Sequence, residues 1–396
     1  MTIVFLRLAR RPVQLLAAAI LLVVAGNAVA APPFDTPAKY AMLVDHDTGT
    51  VLFEKNADAV MPPASMSKLM TIYLVFERLA EGGLTLDDTL PVTEKAWRMG
   101  GSKMFVKVGD RIRVEDLLRG VIVQSGNDAC IVLAEGLAGT EEYFAQLMTE
   151  RAREIGLTDS HFSNATGWPD PRHYMSARDL AVLARRLIED FPQFYPLFAE
   201  RSFTYGIDVS TGKPITQGNR NPLLFNDNGA DGLKTGHTEE AGYSITASAI
   251  REGRRLTLVI AGLDSDRARK QESGRLLEFG FRNFNNFDLL RAGETVDKAN
   301  VWLGDQEKVG LVVASDVTLT LSRRARRGLK VKVVRDEPVA APIAAGQQIG
   351  RLEISTPETE TITLPLLADA SVGGLGPLGR IKAAFGYLLW GSASGS

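Results

Sequence analysis

The sequence predicts an α/β (α+β) domain in which a helical cluster packs against an antiparallel sheet. A small all-β domain and an amphipathic tail helix follow it. Three observations carry that reading. Up to about residue 286, strand-like runs lie at the two ends and amphipathic helical runs lie between them, without regular alternation of strand and helix. Near residue 287 the helical period stops and period-2 runs replace it. A chain of 396 residues with 45% apolar and 23% charged residues also has room for about two globular domains.

Taken in order, MTIVFLRLARRP is a basic segment with Arg7, Arg10 and Arg11, VQLLAAAILLVVAG is an apolar run, and Ala28-Val29-Ala30 is a cleavage signal. Residues 1–30 are therefore expected to be a signal peptide and the protein to be exported. AMLVDHDTGTVLFEKNAD reads as two short strands around Asp47-Thr48-Gly49. Residues 66–82 read as a helix, with Met66, Leu69, Met70, Tyr73, Leu74 and Phe76 on a broad apolar face. Residues 113–139 read as two helices broken near Gln124-Ser125-Gly126-Asn127. EEYFAQLMTERAREIGL and SARDLAVLARRLIEDF are two more helices. Residues 229–263 read as one β-hairpin that turns at Glu252-Gly253.

From 287 to 372 the runs VTLTL, LKVKVV, RLEIS and TITLPL alternate as strands of a small β-sandwich-like domain, and SRRARRG between the first two reads as a solvated hairpin turn. Last, LGRIKAAFGYLLW within 376–391 places Leu378, Ile381, Phe385 and Leu388 at helical spacing beside Arg380 and Lys382. Thirteen helical residues reach ~20 Å, short of a ~30 Å bilayer core, so this helix is expected to lie in a membrane surface.

Several chemistries lack support. A net charge of −2 gives no reason to expect nucleic acid as a partner. Cys130 is the one cysteine, so no intramolecular disulfide can form; it reads as a buried helix residue. The four histidines are scattered, and no phosphate-binding glycine loop occurs, so neither metal nor cofactor is expected.

The positive signal begins in PPASMSKLMT, residues 62–71. At a helix start, residues three apart share a face, so Ser65 and Lys68 project together. A serine hydroxyl needs an adjacent base, and a lysine serves as one only when burial or nearby positive charge lowers its pKa. The helix start also offers the Ser65 N–H to an oxyanion. Ser125-Gly126-Asn127 sits between two helices, where a hydroxyl can relay protons and an amide can orient a substrate. Lys234-Thr235-Gly236 lies on a predicted strand, where glycine permits close approach of another backbone and the two side chains can bind a carboxylate.

Ser-x-x-Lys, Ser-x-Asn and Lys-Thr-Gly, once each and in that order, are the signature of the penicillin-binding protein and serine β-lactamase superfamily. The chain resembles its low-molecular-mass branch, the D-alanyl-D-alanine carboxypeptidases, over nearly its whole length. GSKMF, RGVIVQSGNDAC, HFSNATGW, MSARDLA, NRNPLL and ADGLKTGHTEEAGY carry the likeness beside the three motifs.

The resemblance implies a penicillin-binding, β-lactamase-like transpeptidase domain over 31–286. It implies acylation of Ser65 by peptidoglycan pentapeptide stems or by β-lactams, with Lys68 as base and Ser125 and Lys234 as proton relays. Asn127 would bind the peptide, and the backbone N–H groups of Ser65 and His237 would form the oxyanion hole beside Gly236. Thr235, Arg220 and Arg269 would hold the substrate carboxylate, with Arg267 an alternative to Arg269. Thr166 stands where the family often has histidine. A periplasmic enzyme, peripheral on the outer face of the inner membrane, follows from the same likeness. The alternatives are a D,D-endopeptidase on crosslinks and a non-catalytic wall-binding scaffold. No Glu-x-x-Leu-Asn lies between Ser125 and Lys234, which argues against a class A β-lactamase.

Overall fold

The computed structural model describes residues 34–208 and 210–382. The expected signal peptide and the tail helix beyond residue 382 lie outside the described residues.

β1 (Tyr40–Asp45) and β2 (Val51–Lys55) form the first hairpin. Its turn is tied by Asp45 Oδ1, which accepts from Thr48 N and Thr48 Oγ1, both at 3.1 Å. A 3₁₀ turn, Ala64–Ser67, leads into α1 (Lys68–Ala80). Every residue from Met66 to Phe76 is buried, so α1 is a central helix wrapped on all sides. β3 (Thr89–Pro91), α2 (Glu94–Arg98) and β4 (Arg111–Arg113) make a small excursion whose two strands pair.

α3 (Val114–Ile122) and α4 (Asn127–Ala138) are separated at the expected break. α5 (Glu141–Glu154) and α6 (Ala177–Asp190) begin at Thr140 and Ser176, whose hydroxyls accept from Tyr143 N at 3.2 Å and Asp179 N at 3.0 Å. β5 (Ser202–Ile207) and β6 (Pro214–Gly218) form an antiparallel ribbon.

The segment read as one hairpin is a three-stranded meander: β7 (Ala230–Thr238), β8 (Gly242–Arg251) and β9 (Arg254–Leu263). The overlooked turn, Glu239-Glu240-Ala241, has neither glycine nor proline of its own. It closes when Ala241 N donates to Thr238 Oγ1 at 3.0 Å and Gly242 takes φ +67°. The sheet order β2-β1-β9-β8-β7 leaves β7 at an edge, beside the 3₁₀ turn. α7 (Asp266–Asn283) packs on β8 and β9.

The second region comprises β10 (Phe284–Leu290), β11 (Thr295–Trp302), β12 (Lys308–Val312), β13 (Val317–Ser322), α8 (Arg323–Arg327), β14 (Lys330–Val334), β15 (Val339–Ala340), β16 (Gln348–Ser355) and β17 (Ile362–Ala368). β10 pairs with β13, and the other strands form a sheet ordered β14-β16-β17-β12-β11-β15. All four period-2 runs are strands. SRRARRG is not a bare turn: its arginines form the single-turn helix α8, capped by Ser322 Oγ, which accepts from Ala325 N at 3.0 Å. Ala325 is its one buried residue, and four arginines disguise so short an apolar anchor.

No slack separates the regions. α7 ends at Asn283 and β10 begins at Phe284, whose ring is fully buried in the core beneath α7. The seam beside it is polar. Arg254, paired with buried Asp45 at 2.7 Å, donates to the Phe284 carbonyl; Asn286 Nδ2 donates to Asp45 Oδ1 at 3.2 Å.

Candidate active site

Ser65 sits in the 3₁₀ turn and Lys68 opens α1. Ala64 before them adopts φ +48°, in the left-handed region that costs a non-glycine residue energy. That kink is held from two sides. A Cβ on Gly167 would lie 1.9 Å from the Ala64 carbonyl oxygen, and one on Gly236 would lie 2.8 Å from that of Pro63. The glycine of Lys-Thr-Gly therefore lets the β7 edge close onto the serine-bearing turn.

Lys68 Nζ is fully enclosed. It donates to Ser65 Oγ at 2.8 Å, to Asn127 Oδ1 at 2.7 Å and to the Thr166 carbonyl at 2.5 Å. Burial, reinforced by the Arg220 charge, pushes its pKa down to about 8. At neutral pH this raises the uncharged fraction roughly 300-fold over an ordinary lysine. The three contacts also decide where the lone pair points. Asn127 Oδ1 and the Thr166 carbonyl can only accept, so they retain the two N–H bonds of the neutral amine. The lone pair then faces Ser65 Oγ.

Ser125 occupies the α3–α4 break at φ +65°, with its Oγ buried and without a partner among the described residues. Asn127 begins α4 and is oriented by its Nδ2, which donates to the Gly100 carbonyl at 2.8 Å. Lys234 is buried on β7, where burial and the charges of Lys68 and Arg220 hold its pKa well below the usual value; its Nζ donates to the Thr235 carbonyl at 3.2 Å. Thr235 is buried beside it, and His237 is exposed on the same strand with its ring 3.9 Å from that of Tyr243.

Arg220 donates to Ser102 Oγ at 2.6 Å. Arg269 is buried, paired with Asp266 and 5.7 Å from the Tyr243 ring centroid, whereas Arg267 is exposed. Of the two candidates, Arg269 therefore lies against the β7–β8 pair. Cys130 is fully buried, and its thiol is pushed up to about 12 by burial. It is a core residue and no nucleophile at neutral pH.

Three supports were not legible. Thr166 contributes a backbone carbonyl, which leaves no mark on residue type. Asn164 fixes that loop, its Oδ1 accepting from Thr166 N, Gly167 N and Trp168 N at 2.8–3.1 Å. Asp128 binds the 101–106 segment through Met104 N at 2.8 Å, Phe105 N at 2.9 Å and Val106 N at 3.2 Å. An acid in a first helical turn looks like ordinary capping chemistry, and so Asp128 was hidden.

Known families match both regions of the chain. Residues 26–265 match the D-alanyl-D-alanine carboxypeptidase family, peptidase S11. Residues 284–373 match the C-terminal domain of penicillin-binding protein 5. The chain is 38% identical to the D-alanyl-D-alanine carboxypeptidase DacD of Salmonella typhimurium over 352 residues, covering 87% of this chain and 88% of that protein. Among solved structures it resembles the DacD carboxypeptidase of Francisella tularensis, with 30% identity, TM-score 0.77, and 87% and 96% of the two chains covered. It also resembles penicillin-binding protein 5 of Haemophilus influenzae, with 34% identity, TM-score 0.75, and 87% and 99% covered. With a half-buried serine against a buried lysine at its centre and these relatives along nearly its full length, the chain belongs to the D-alanyl-D-alanine carboxypeptidase family, among the low-molecular-mass penicillin-binding proteins.

Proposed function

We propose that the chain removes the terminal D-alanine from peptidoglycan pentapeptide stems through an acyl-enzyme on Ser65. The single observation that carries this reading is the enclosed Lys68, whose amine is lowered to about 8 and held 2.8 Å from Ser65 Oγ. Neutral Lys68 takes the Ser65 proton as Oγ attacks the penultimate D-alanine carbonyl. The backbone N–H groups of Ser65 and His237 stabilise the oxyanion. Ser125, with Lys234 nearby, passes a proton to the leaving amine, and D-alanine departs. Asn127 orients the peptide; Thr235, Arg220 and Arg269 hold the terminal carboxylate. Water then attacks the ester and frees Ser65. A β-lactam enters by the same attack and leaves a long-lived adduct.

Arg269 is favoured over Arg267 for the carboxylate because it is buried beside Tyr243, the register partner of His237. A division near residue 287 into a catalytic and a small β-domain is supported by the separate aliphatic core of the second region. Among the described residues no helix is long and apolar enough to cross a membrane. We place the protein in the periplasm, held to the membrane surface by the 376–391 helix.

The decisive experiment compares release of D-alanine from a soluble pentapeptide ending in D-Ala-D-Ala by the purified full chain and by Ser65→Ala. Release confined to the parent establishes both activity and nucleophile. Absence from both would turn the reading toward crosslinked muropeptide and the endopeptidase.

A further inference from the structure

A cavity of about 240 Å³ opens beside the nucleophile, walled by Pro63 and Ala64 on one side, Gly167 and Trp168 on another, and Thr238 at the end of β7. Its lining includes His173, which is 4% exposed. Ser163 N donates to His173 Nδ1 at 3.2 Å, so the neutral ring carries its proton on Nε2. Burial keeps that ring neutral by lowering its pKa to about 4. Nε2 is buried with no partner among the described residues, a donor without an acceptor. Two carboxylates also line the cavity, Glu240 and Asp170. Glu240 is exposed, while Asp170 Oδ1 already accepts from Arg172 N at 2.8 Å and Ser163 Oγ at 3.3 Å, with Arg172 Nε 3.6 Å away.

The direction of a bound stem follows from the strand. A substrate extended along the β7 edge, with its carboxylate at Thr235, advances ~3.3 Å per residue. Its third residue, two before the C-terminus, then lies ~7 Å along, level with His237 and Thr238, where the cavity opens.

Resting on the carboxypeptidase reading above, we propose that this cavity is a specificity subsite for the third stem residue and selects a diamino-dicarboxylic side chain. The distal carboxylate accepts from His173 Nε2–H, and the distal ammonium faces Glu240, with Asp170 behind it. A lysine side chain satisfies only the ammonium contact, and an uncharged chain neither.

The test uses the full chain and three pentapeptides ending in D-Ala-D-Ala, with meso-diaminopimelate, L-lysine or norleucine at position three, reading kcat/KM for D-alanine release. A hydrogen bond to a charged group supports a difference on the order of tenfold per step. The expected order is diaminopimelate over lysine over norleucine. His173→Phe keeps the ring and should collapse the diaminopimelate-to-lysine ratio. Glu240→Gln, at an exposed position, should collapse the lysine-to-norleucine ratio. Because each ratio is taken within one protein, a general loss of turnover cancels. If His173→Phe does not fold, the parent order and Glu240→Gln still decide. Equal cleavage of all three by the parent overturns the subsite and leaves the carboxypeptidase reading standing. No D-alanine from any of them overturns both.

Discussion

Ala299, Val309, Leu311, Leu352, Ile354 and Leu366 make the core of the β-domain aliphatic throughout. The catalytic domain encloses, beside its own apolar core, two lysines, Lys68 and Lys234, and a serine hydroxyl with no described partner. Around them Ala64, Phe105 and Ser125 hold left-handed backbone that costs ~1–3 kcal/mol each. The β-domain has isolated departures of its own, Leu303 at φ +57° and the buried Glu358 Oε1, whereas in the catalytic domain three of them gather around the two lysines. The breaches coincide with the groups to which the proposed mechanism assigns the chemistry: a lysine in water would stay charged, and enclosure lowers its pKa toward that of a usable base.

The largest test of this contrast is Lys68→Ala, which should lower acylation by a fluorescent penicillin about 10²–10⁴-fold while the protein stays folded. The pH profile supplies the sign. Burial lowers the folded-state pKa of Lys68, so the active neutral form is scarce below about 8 and dominant above it. Acylation should rise about tenfold per unit from pH 6 towards 8 and then level off; a profile flat across that range would remove Lys68 as the base.

A smaller effect of another kind is expected at Leu352→Ala in the β-domain. It should cost about 2–5 kcal/mol in a chemical-denaturation transition yet leave kcat/KM within about twofold below that transition. Turnover that falls in step with stability would show that the second core does support the site. Smallest of all, deletion of 376–396 should release the protein from sedimenting membranes without altering turnover. Continued sedimentation would locate the anchor elsewhere.

Much of the site was legible because its chemistry constrains residue type at fixed spacing. Ser65 and Lys68 need one face of a turn; Ser125 and Asn127 need a helix break; Gly236 must admit Pro63. What escaped was set by folding at a distance. The Thr166 carbonyl acts through the backbone, and Asp128 resembles a cap. Arg267 and Arg269, two apart on a helix, cannot share a face, but only the packing of α7 against β8 shows which is covered. The turn at 239–241 was missed because two glutamates gave no break signal, and α8 because four arginines surround its single buried alanine.

The junction at Phe284 has a mechanical consequence. A helix that passes into a strand without one intervening residue, with the ring at the join sunk into the core of the body it leaves, is an elbow and not a tether. The bonds beside it, from Arg254 and Asn286 to their acceptors, tie β10 to β9 and to β1. Whatever holds the far end of the chain thus aims the mouth of the cleft as well as limiting its travel.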